Sequence, residues 1–379
     1  MKICFCIGSL KFSGAENVIR YVAEQLIIRG YDVSAILMGN MPEKNEIIDN
    51  LKVENAIVLD KGIIGICRRI NKIRSSLKKI KPDIFIIFNF SMAYTAIPAT
   101  KGFKGLKVVA CERNDPISVP RSKKRRYVRD FLFKHTDVCV SQTETIANYF
   151  RPFVKNNYVI PNPLRANYVK CSRIEERKKI FATVARLDDY QKNQSMMIRA
   201  FAKVLKIHPE YQLHFLGAGN DLEKYIQLVE KLGIEKSVKF LGDVSSPLET
   251  IKNYRAFLLT SNYEGMPNAL MEAMAIGLPC ISTDCNGGGA KALIRNGYNG
   301  IIIKRNDEEA LERSILNLIT DEQLCTTLGD NAYRINETLY GENIVDMWED
   351  LCILLCKGEK NARYSFDKKS EEEKVQNFR

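Results

Sequence analysis

SNYEGMPNALMEAMA, at residues 261–275, is the segment that decides how this sequence is interpreted. Glu264 follows a predicted apolar strand at residues 256–259, and Glu272 lies eight positions later on a predicted helix that begins near Pro267. Proline is common in a first helical turn. The backbone N–H groups of residues 265–268 would then join both carboxylates at a helix N-terminus, which attracts phosphate. Because carboxylates accept hydrogen bonds from sugar hydroxyls, the pattern predicts a nucleotide-sugar site. The alternative is that both acids only complement the helix dipole.

The same segment resembles the Glu-x7-Glu signature of the family-4 retaining glycosyltransferases. The resemblance includes the intervening Gly, Asn and Leu and the following Ala-Met-Ala-x-Gly-x-Pro. It implies that Glu264 binds the hydroxyls of the donor sugar and Glu272 the ribose of a UDP-sugar. It also implies donor-binding positions at Gly265, Met266 and Asn268.

A second run, TVARLDDYQKN at residues 183–193, follows a predicted strand and enters a helix. Arg186 and Lys192 place two cations at this strand end, where they could neutralise a diphosphate and the charge that develops as it departs. The alternative is a pair of solvated loop cations. The run is similar to the second hallmark of the same family, Arg-Leu-x-x-x-Lys-Asn, in looser spacing. The resemblance therefore assigns catalytic roles to Arg186 and Lys192 together with Glu264.

Glycines at three predicted strand ends are further candidates for donor binding. Gly14 lies in the loop after the first strand, where glycine lets backbone approach a ligand closely. The loop is not a G-x-G-x-x-G dinucleotide motif, but it resembles a first-domain loop of the family that meets the donor phosphate. Gly217 and Gly242 end two later strands, and the resemblance places them around the base and ribose. Tight strand-to-helix turns are the alternative for both.

The first half departs from the family in one respect. Many members carry a histidine after the fourth strand, whereas this chain has Glu112-Arg113-Asn114 there. Some bacterial polysaccharide-building members contain the same Glu-Arg-Asn, so these three residues are candidate contacts to the sugar or the acceptor. The histidines of the chain, at positions 135, 208 and 214, are interpreted as structural.

Short apolar strands alternate with amphipathic helices in both halves of the 379-residue chain, which indicates parallel sheets covered on both faces. Strands are predicted at residues 3–7, 33–37, 84–88, 108–110, 138–140, 158–160, 180–184, 213–216, 238–241, 257–260, 280–283 and 300–303, and helices at 15–29, 66–80 and 343–355. The predicted fold is α/β, with two Rossmann-like doubly wound domains facing across a cleft (GT-B). Residues 1–165 would form the acceptor-side domain, 166–340 the nucleotide-sugar domain, 341–356 a helix crossing back to the first domain, and 357–379 a disordered tail. Pro161-Asn162-Pro163-Leu164 is the predicted hinge.

Charge is unevenly distributed along the chain. Residues 1–165 contain 28 Lys and Arg against 14 Asp and Glu, whereas the remainder is close to neutral and the whole carries +12. Residues 121–134 combine many cations with bulky apolar residues in a predicted helix, and residues 66–81 do so at helical spacing. Both stripes could simply face the sheet, but the confined positive charge favours an anionic membrane surface. The eleven cysteines are scattered, no apolar run is long enough to span a membrane, and no signal peptide is predicted at the start. The sequence therefore predicts a cytoplasmic protein that is peripheral to the membrane.

These patterns and the resemblance together predict a retaining hexosyltransferase. It would move a hexose or N-acetylhexosamine from a UDP-sugar to a glycan acceptor in bacterial surface polysaccharide synthesis, and the acceptor is expected to be lipid-linked. The resemblance implies neither a metal nor another cofactor, and Asp188-Asp189 are adjacent rather than an Asp-x-Asp motif. Two alternatives stay open. One is a nucleotide-sugar epimerase on the same architecture, and the other is a non-catalytic protein that binds sugar nucleotides or nucleic acid, although no nucleic-acid partner is expected.

Overall fold

The computed structural model describes residues 1–10, 14–39, 48–60, 62–165 and 168–358. Contacts between Cα atoms divide the chain into two compact units, the first made of Met1–Pro163 and the chain from Gly341 onward, the second of Leu164–Tyr340. The predicted tail at 357–379 lies outside the described residues except for its first two positions.

The first unit is built on a parallel sheet. Its strands are β1 (Lys2–Ile7), β2 (Asp32–Leu37), β3 (Lys52–Asn55), β4 (Ile84–Ile87), β5 (Lys107–Glu112), β6 (Val138–Ser141) and β7 (Asn157–Val159), and its helices begin with α1 (Gly14–Ile28), α2 (Gly62–Ile80), α3 (Phe90–Ala99), α4 (Lys123–Phe133) and α5 (Glu144–Phe150). The described strands run in the order β3-β2-β1-β4-β5-β6-β7. The side chains of Asn89, Ser122 and Thr143 cap α3, α4 and α5 by accepting backbone N–H bonds, which fixes where these helices begin.

The second unit repeats this plan. Its strands are β8 (Lys178–Val184), β9 (Gln212–Leu216), β10 (Val238–Phe240), β11 (Tyr254–Leu259), β12 (Cys280–Thr283) and β13 (Ile301–Ile303), and its helices are α6 (Asp189–Lys192), α7 (Gln194–Val204), α8 (Leu222–Leu232), α9 (Pro247–Ile251), α10 (Asn268–Ala275), α11 (Gly289–Leu293), α12 (Glu308–Thr320), α13 (Glu322–Tyr333) and α14 (Ile335–Thr338). The order of the described strands is β10-β9-β8-β11-β12-β13.

The chain returns to the first unit through α15 (Gly341–Lys357). Trp348 of this helix is fully buried, with its ring centroid 6.3 Å from that of Phe88. Arg29 donates to Asp346 at 2.6 Å and to Glu349 at 2.5 Å, so a cation that follows α1 holds two acids of α15. Aromatic burial and this pair of ion contacts together attach α15 to the rest of the first unit.

The predicted fold class, α/β with two parallel-sheet domains, is confirmed. Apolar runs identified the strands because both faces of each sheet are covered: five consecutive residues of β1 and all four of β4 are buried. The strand that the sequence missed is β3, at the edge of its sheet, where two of its four residues are exposed. A short, half-exposed polar edge strand lacks the apolar run on which the prediction depended.

In the strand order of each sheet there is one topological switch point, where the connections between strands change from one direction across the sheet to the other. In the first sheet it lies between β1 and β4, and in the second between β8 and β11. Ligands of open α/β sheets bind beside the carboxyl ends of the strands at such a switch point. The loops that follow β8 and β11 are therefore the part of the second unit in which a ligand site is expected.

Candidate active site

Glu264 and Lys192 meet at the switch point of the second unit. Lys192 closes the short helix after β8, and Glu264 lies in the loop after β11. The Nζ of Lys192 donates to Oε1 of Glu264 at 2.5 Å, and both side chains are largely buried. Two residues that are 72 positions apart thus form one ion pair, which the order of the strands brings together.

Glu264 is held from several sides. Its Oε1 also accepts from Oγ of Ser261 at 2.7 Å, while the one contact of Oε2 within the described residues is a long one, 3.4 Å, from Nε2 of Gln191. Its backbone N–H donates to the carbonyl of Asn286 at 2.9 Å. One carboxylate oxygen is therefore used to fix the side chain, and the other keeps capacity for a further donor.

The backbone around Lys192 is equally constrained. Asn193 follows it in the left-handed region, with φ of +50°, and separates α6 from α7. Asparagine tolerates this conformation better than most residues. The Oγ1 of Thr260 donates to the carbonyls of Lys192 and Asn193 at 2.8 and 3.0 Å. These bonds connect the loops after β8 and β11 directly, so the position of Lys192 does not depend on its ion pair alone.

Arg186 lies in the same loop but its side chain is 65% exposed. Its Nη2 contacts Oδ2 of Asp188 and Oε1 of Gln191, both at 3.2 Å. Gln191 thus borders Arg186 and Glu264 at once. Nothing in the sequence singled out Gln191 or Ser261, although each lies within three residues of a predicted site residue.

The two adjacent aspartates have structural roles. Asp188 caps α6 through the backbone N–H of Gln191. Asp189 accepts from Nζ of Lys224 at 2.6 Å and from the backbone and hydroxyl of Ser195. Burial opposes the ionisation of Asp189, yet these bonds hold its pKa below the usual value. Within the described ranges, no three His, Cys, Asp or Glu side chains are placed to share a metal ion.

Glycines allow the loops of this unit to pack backbone against backbone. Gly217 has φ of +129°, and a Cβ there would lie 2.3 Å from the carbonyl oxygen of Ala185. Its N–H donates to the carbonyl of Gly242 at 2.7 Å, so two predicted donor-binding glycines are neighbours. Gly289, in the glycine-rich turn after β12, would place a Cβ 1.8 Å from the carbonyl oxygen of Gly265. Side chains at these positions would force the loops apart.

Glu272 does not share a helix N-terminus with Glu264, which corrects the arrangement predicted from their spacing. The helix begins at Asn268, so Glu272 lies in its second turn, and the first turn contains no acid. Its partner is Arg165, whose Nη2 lies 3.6 Å from Oε1. Burial raises the pKa of Glu272, and the positive charge of Arg165 opposes that shift. The pairing with Arg165, more than a hundred residues earlier, could not be read from the sequence. Gly265, Met266 and Asn268 stay at the start of the helix, as their positions predicted.

The remaining candidates belong to the first unit. Gly14 is the first residue of α1. Glu112 ends β5 and is fully buried, with Nη1 of Arg129 at 3.3 Å and the backbone N–H groups of Arg113 and Asn114 at 3.1 and 3.3 Å. Burial raises the pKa of Glu112 to about 8. The guanidinium of Arg113 stacks 4.6 Å above the ring of Phe88.

Two family models match the chain. Residues 165–335 match the model described as Glycosyl transferases group 1, and residues 12–167 match that of Glycosyltransferase Family 4. The chain belongs to the family-4 glycosyltransferases. An enzyme of this family is a glycosyltransferase, so the epimerase and the non-catalytic alternative lose their support.

Two relatives are similar over nearly their whole length. An uncharacterised glycosyltransferase of Haemophilus influenzae is 28% identical over 360 residues, which are 91% of this chain and 97% of that protein. An α-1,4-N-acetyl-D-galactosaminyltransferase of Campylobacter jejuni is 26% identical over 355 residues, 92% of this chain and 97% of that enzyme. The name of the second enzyme gives its acceptor as a glycan on undecaprenol-PP.

Solved structures show the same fold at low identity. HepE of Anabaena, in complex with UDP and glucose, has a TM-score of 0.80 at 20% identity and covers 93% of this chain and 99% of its own. The lipopolysaccharide outer core galactosyltransferase WaaB has a TM-score of 0.75 at 23% identity, with the same coverage. At this level of identity the likeness extends to the fold alone.

Proposed function

We propose that this glycosyltransferase transfers a hexose or N-acetylhexosamine from a UDP-sugar to a hydroxyl of a lipid-linked glycan, with retention of anomeric configuration, in bacterial surface polysaccharide synthesis. The observation that carries the proposal is the buried Lys192–Glu264 pair at the switch point of the second unit. The named acceptor of the Campylobacter relative and the UDP-glucose complex of HepE support the substrate classes.

The pair suits a UDP-sugar because each partner keeps bonding capacity. Lysine has three N–H donors, and the contact to Glu264 uses one of them. Oε2 of Glu264 remains able to accept from a sugar hydroxyl. We assign Lys192 and the exposed Arg186 to the diphosphate, Glu264 to the hydroxyls of the transferred sugar, and Glu272 to the ribose. Gly217, Gly242, Gly265, Met266 and Asn268 would complete the donor site through backbone and packing. The expected role of Gly14, which lies in the first unit, stays a prediction.

In the proposed reaction the bond between the anomeric carbon and the diphosphate breaks, and the bond to the acceptor oxygen forms on the same face. The acceptor proton passes to the departing phosphate. Negative charge grows on that phosphate as the bond breaks, and fixed cations stabilise such charge most in the transition state. This route uses no protein nucleophile, and we propose that it requires no metal ion.

Turnover of a panel of UDP-sugars, with mass and NMR analysis of the product, tests the proposal. The expected result is one hexose or N-acetylhexosamine added per acceptor with the anomeric configuration of the donor. A product of inverted configuration would refute the retaining mechanism. Release of an epimerised sugar without acceptor would instead favour the epimerase.

We further propose that the first unit docks reversibly on an anionic membrane at the cytoplasmic face. Tyr127 and Phe131 of α4 are 76% and 54% exposed, and the exposed Lys123 and Lys124 lie on the same helix. The apolar residues Ile63, Ile64 and Ile66 at the start of α2, and Leu59 shortly before it, are exposed as well. Exposed apolar side chains with cations on the same helix favour binding to an anionic lipid surface.

The apolar stripe predicted at residues 66–81 is partly buried and partly exposed in the structure. Ile73 and Leu77 are fully buried against the sheet, whereas Ile66 is exposed. Only the first part of α2 is therefore available to a membrane. Among the described helices, none has the length and apolar character needed to cross a bilayer.

Co-sedimentation with vesicles tests the docking. We expect binding to vesicles with anionic lipid, weaker binding at high salt, and a loss of binding in Lys123→Ser/Lys124→Ser. Changing Arg126 is a poor test, because its Nη1 donates to the carbonyls of Pro120 and Arg121 and has a structural role. Equal binding to neutral vesicles, or none to anionic vesicles at low salt, would contradict the proposal.

A further inference from the structure

Arg113 is a buried arginine whose hydrogen-bonding capacity is largely unused. It follows β5 and is 9% exposed. Its Nη2 donates to Oδ1 of Asn162, whereas its Nε and Nη1 are buried and have no hydrogen-bond partner among the described residues. Buried donors are normally satisfied, so two unsatisfied nitrogens on one charged side chain call for an explanation.

The charge of Arg113 also lacks a direct partner. Burial lowers its pKa to about 10, so the guanidinium is still charged at neutral pH. The neighbouring carboxyl group of Glu112 is engaged by Arg129 and by backbone N–H groups, and Asn162 is neutral. Within the described part of the chain, no acid lies at ion-pair distance from Arg113. A buried cation without an anion is costly, and an incoming anion would remove that cost.

The side chain is nevertheless held in one orientation. Its guanidinium lies over the face of Phe88, and Asn162 is fixed in turn by Nε2 of Gln142 at 2.7 Å. Phe88 follows β4, which borders the switch point of the first sheet, and β5 is the next strand. Arg113 therefore lies at the ligand-binding edge of this unit and is orientated before any ligand arrives.

We propose that Arg113 binds a phosphate group of the acceptor, namely the diphosphate through which a glycan is attached to its lipid. This inference rests on the proposed function. A guanidinium suits the planar recognition of phosphate oxygens and binds them more strongly than neutral groups do. The same chemistry could serve the diphosphate of the donor, so the experiment must distinguish the two sources.

The test compares the parent with Arg113→Gln and Arg113→Lys. Arg74→Gln is the matched control, because Arg74 also stacks on a phenylalanine of the first unit, Phe103 at 5.0 Å, but donates to the carbonyls of Ala99 and Lys101. Two acceptors with the same glycan are used, one a short-chain prenyl diphosphate and one a methyl glycoside. Calorimetry with inorganic pyrophosphate and with UDP measures binding without turnover.

Arg113→Gln should raise KM for the diphosphate acceptor at least about tenfold, as expected for the loss of a charge-assisted bond. KM for the methyl glycoside and the affinity for UDP should stay within about twofold of the parent, and Arg113→Lys should recover part of the loss. Arg74→Gln should change none of these values. With the donor site saturated by UDP, pyrophosphate should bind the parent and not Arg113→Gln.

Four results would overturn the inference. An equal loss on both acceptors would give Arg113 a structural role, and a loss of UDP affinity would assign it to the donor. Unchanged kinetics in Arg113→Gln, or a parent that does not bind pyrophosphate, would remove the phosphate site altogether. Turnover of the methyl glycoside alone separates these results from failure of the proposed glycosyl transfer. Should Arg113→Gln not fold, the ratio of the two KM values in Arg113→Lys gives the same decision.

Discussion

Replacing Glu264 by Gln tests the assignment of the donor sugar to the second unit. The substitution keeps the shape of the side chain and the acceptor for Ser261 and Lys192, but removes the charge. A hydrogen bond from a sugar hydroxyl to a charged acceptor contributes about 1.5–3 kcal/mol. Losing it should lower kcat/KM by about 10- to 150-fold. Since UDP lacks the sugar, its affinity should stay within about threefold of the parent.

The variant also leaves Lys192, whose side chain is 16% exposed, beside a neutral amide. Glu308→Gln is the matched control for losing an ion pair, because Glu308 of the same unit bonds Arg199 at 2.8 Å and Lys203 at 3.0 Å away from the switch point. The control should retain turnover. Circular dichroism and thermal unfolding establish that each variant is folded.

Steady-state kinetics and calorimetry with UDP are then measured for the parent and both variants. A folded Glu264→Gln variant that turns over as fast as the parent would refute the assignment. Equal losses in UDP affinity and in turnover would also refute it, because Glu264 would then act on the nucleotide or on the architecture of the loop.

Three further predictions follow from other contacts. Arg186→Ala should lower kcat more than it raises the Kd for the UDP-sugar, because a cation that stabilises the leaving diphosphate acts mainly in the transition state; a change confined to KM would limit Arg186 to uniform binding. Gly289→Ala should destabilise the protein by about 1–3 kcal/mol and weaken UDP binding, since its Cβ would overlap the carbonyl of Gly265; unchanged denaturant unfolding would contradict this packing. Burial lowers the pKa of His214 to about 4, so the unfolded chain binds a proton below about pH 6.5 that the folded chain excludes. The free energy of unfolding should therefore fall by about 2 kcal/mol between pH 7 and pH 5. In urea unfolding, His214→Gln should show a flatter dependence of that free energy on pH.

Local sequence patterns were sufficient to predict the covered strands and the positions of the donor motifs. Continuous apolar runs marked the covered strands, and Glu264 and Lys192 were placed correctly after two of them. The patterns failed where local signals were weak or misleading. The edge strand β3 has no apolar run, and Glu272 was grouped with Glu264 at the helix N-terminus although it lies in the second turn of the helix.

The tertiary structure decided which of these residues meet. The pairing of Lys192 with Glu264 depends on β8 lying beside β11, although two strands intervene along the chain. Arg165 with Glu272, and Arg113 with Phe88 and Asn162, are likewise contacts between distant segments. Local sequence specifies hydrophobic periodicity and turn chemistry, which act over a few residues. Strand order, burial and the state of a charge depend on the whole packed unit. Only the folded chain therefore shows that Glu264 has a cationic partner and that Arg113 has no acid at ion-pair distance among the described residues.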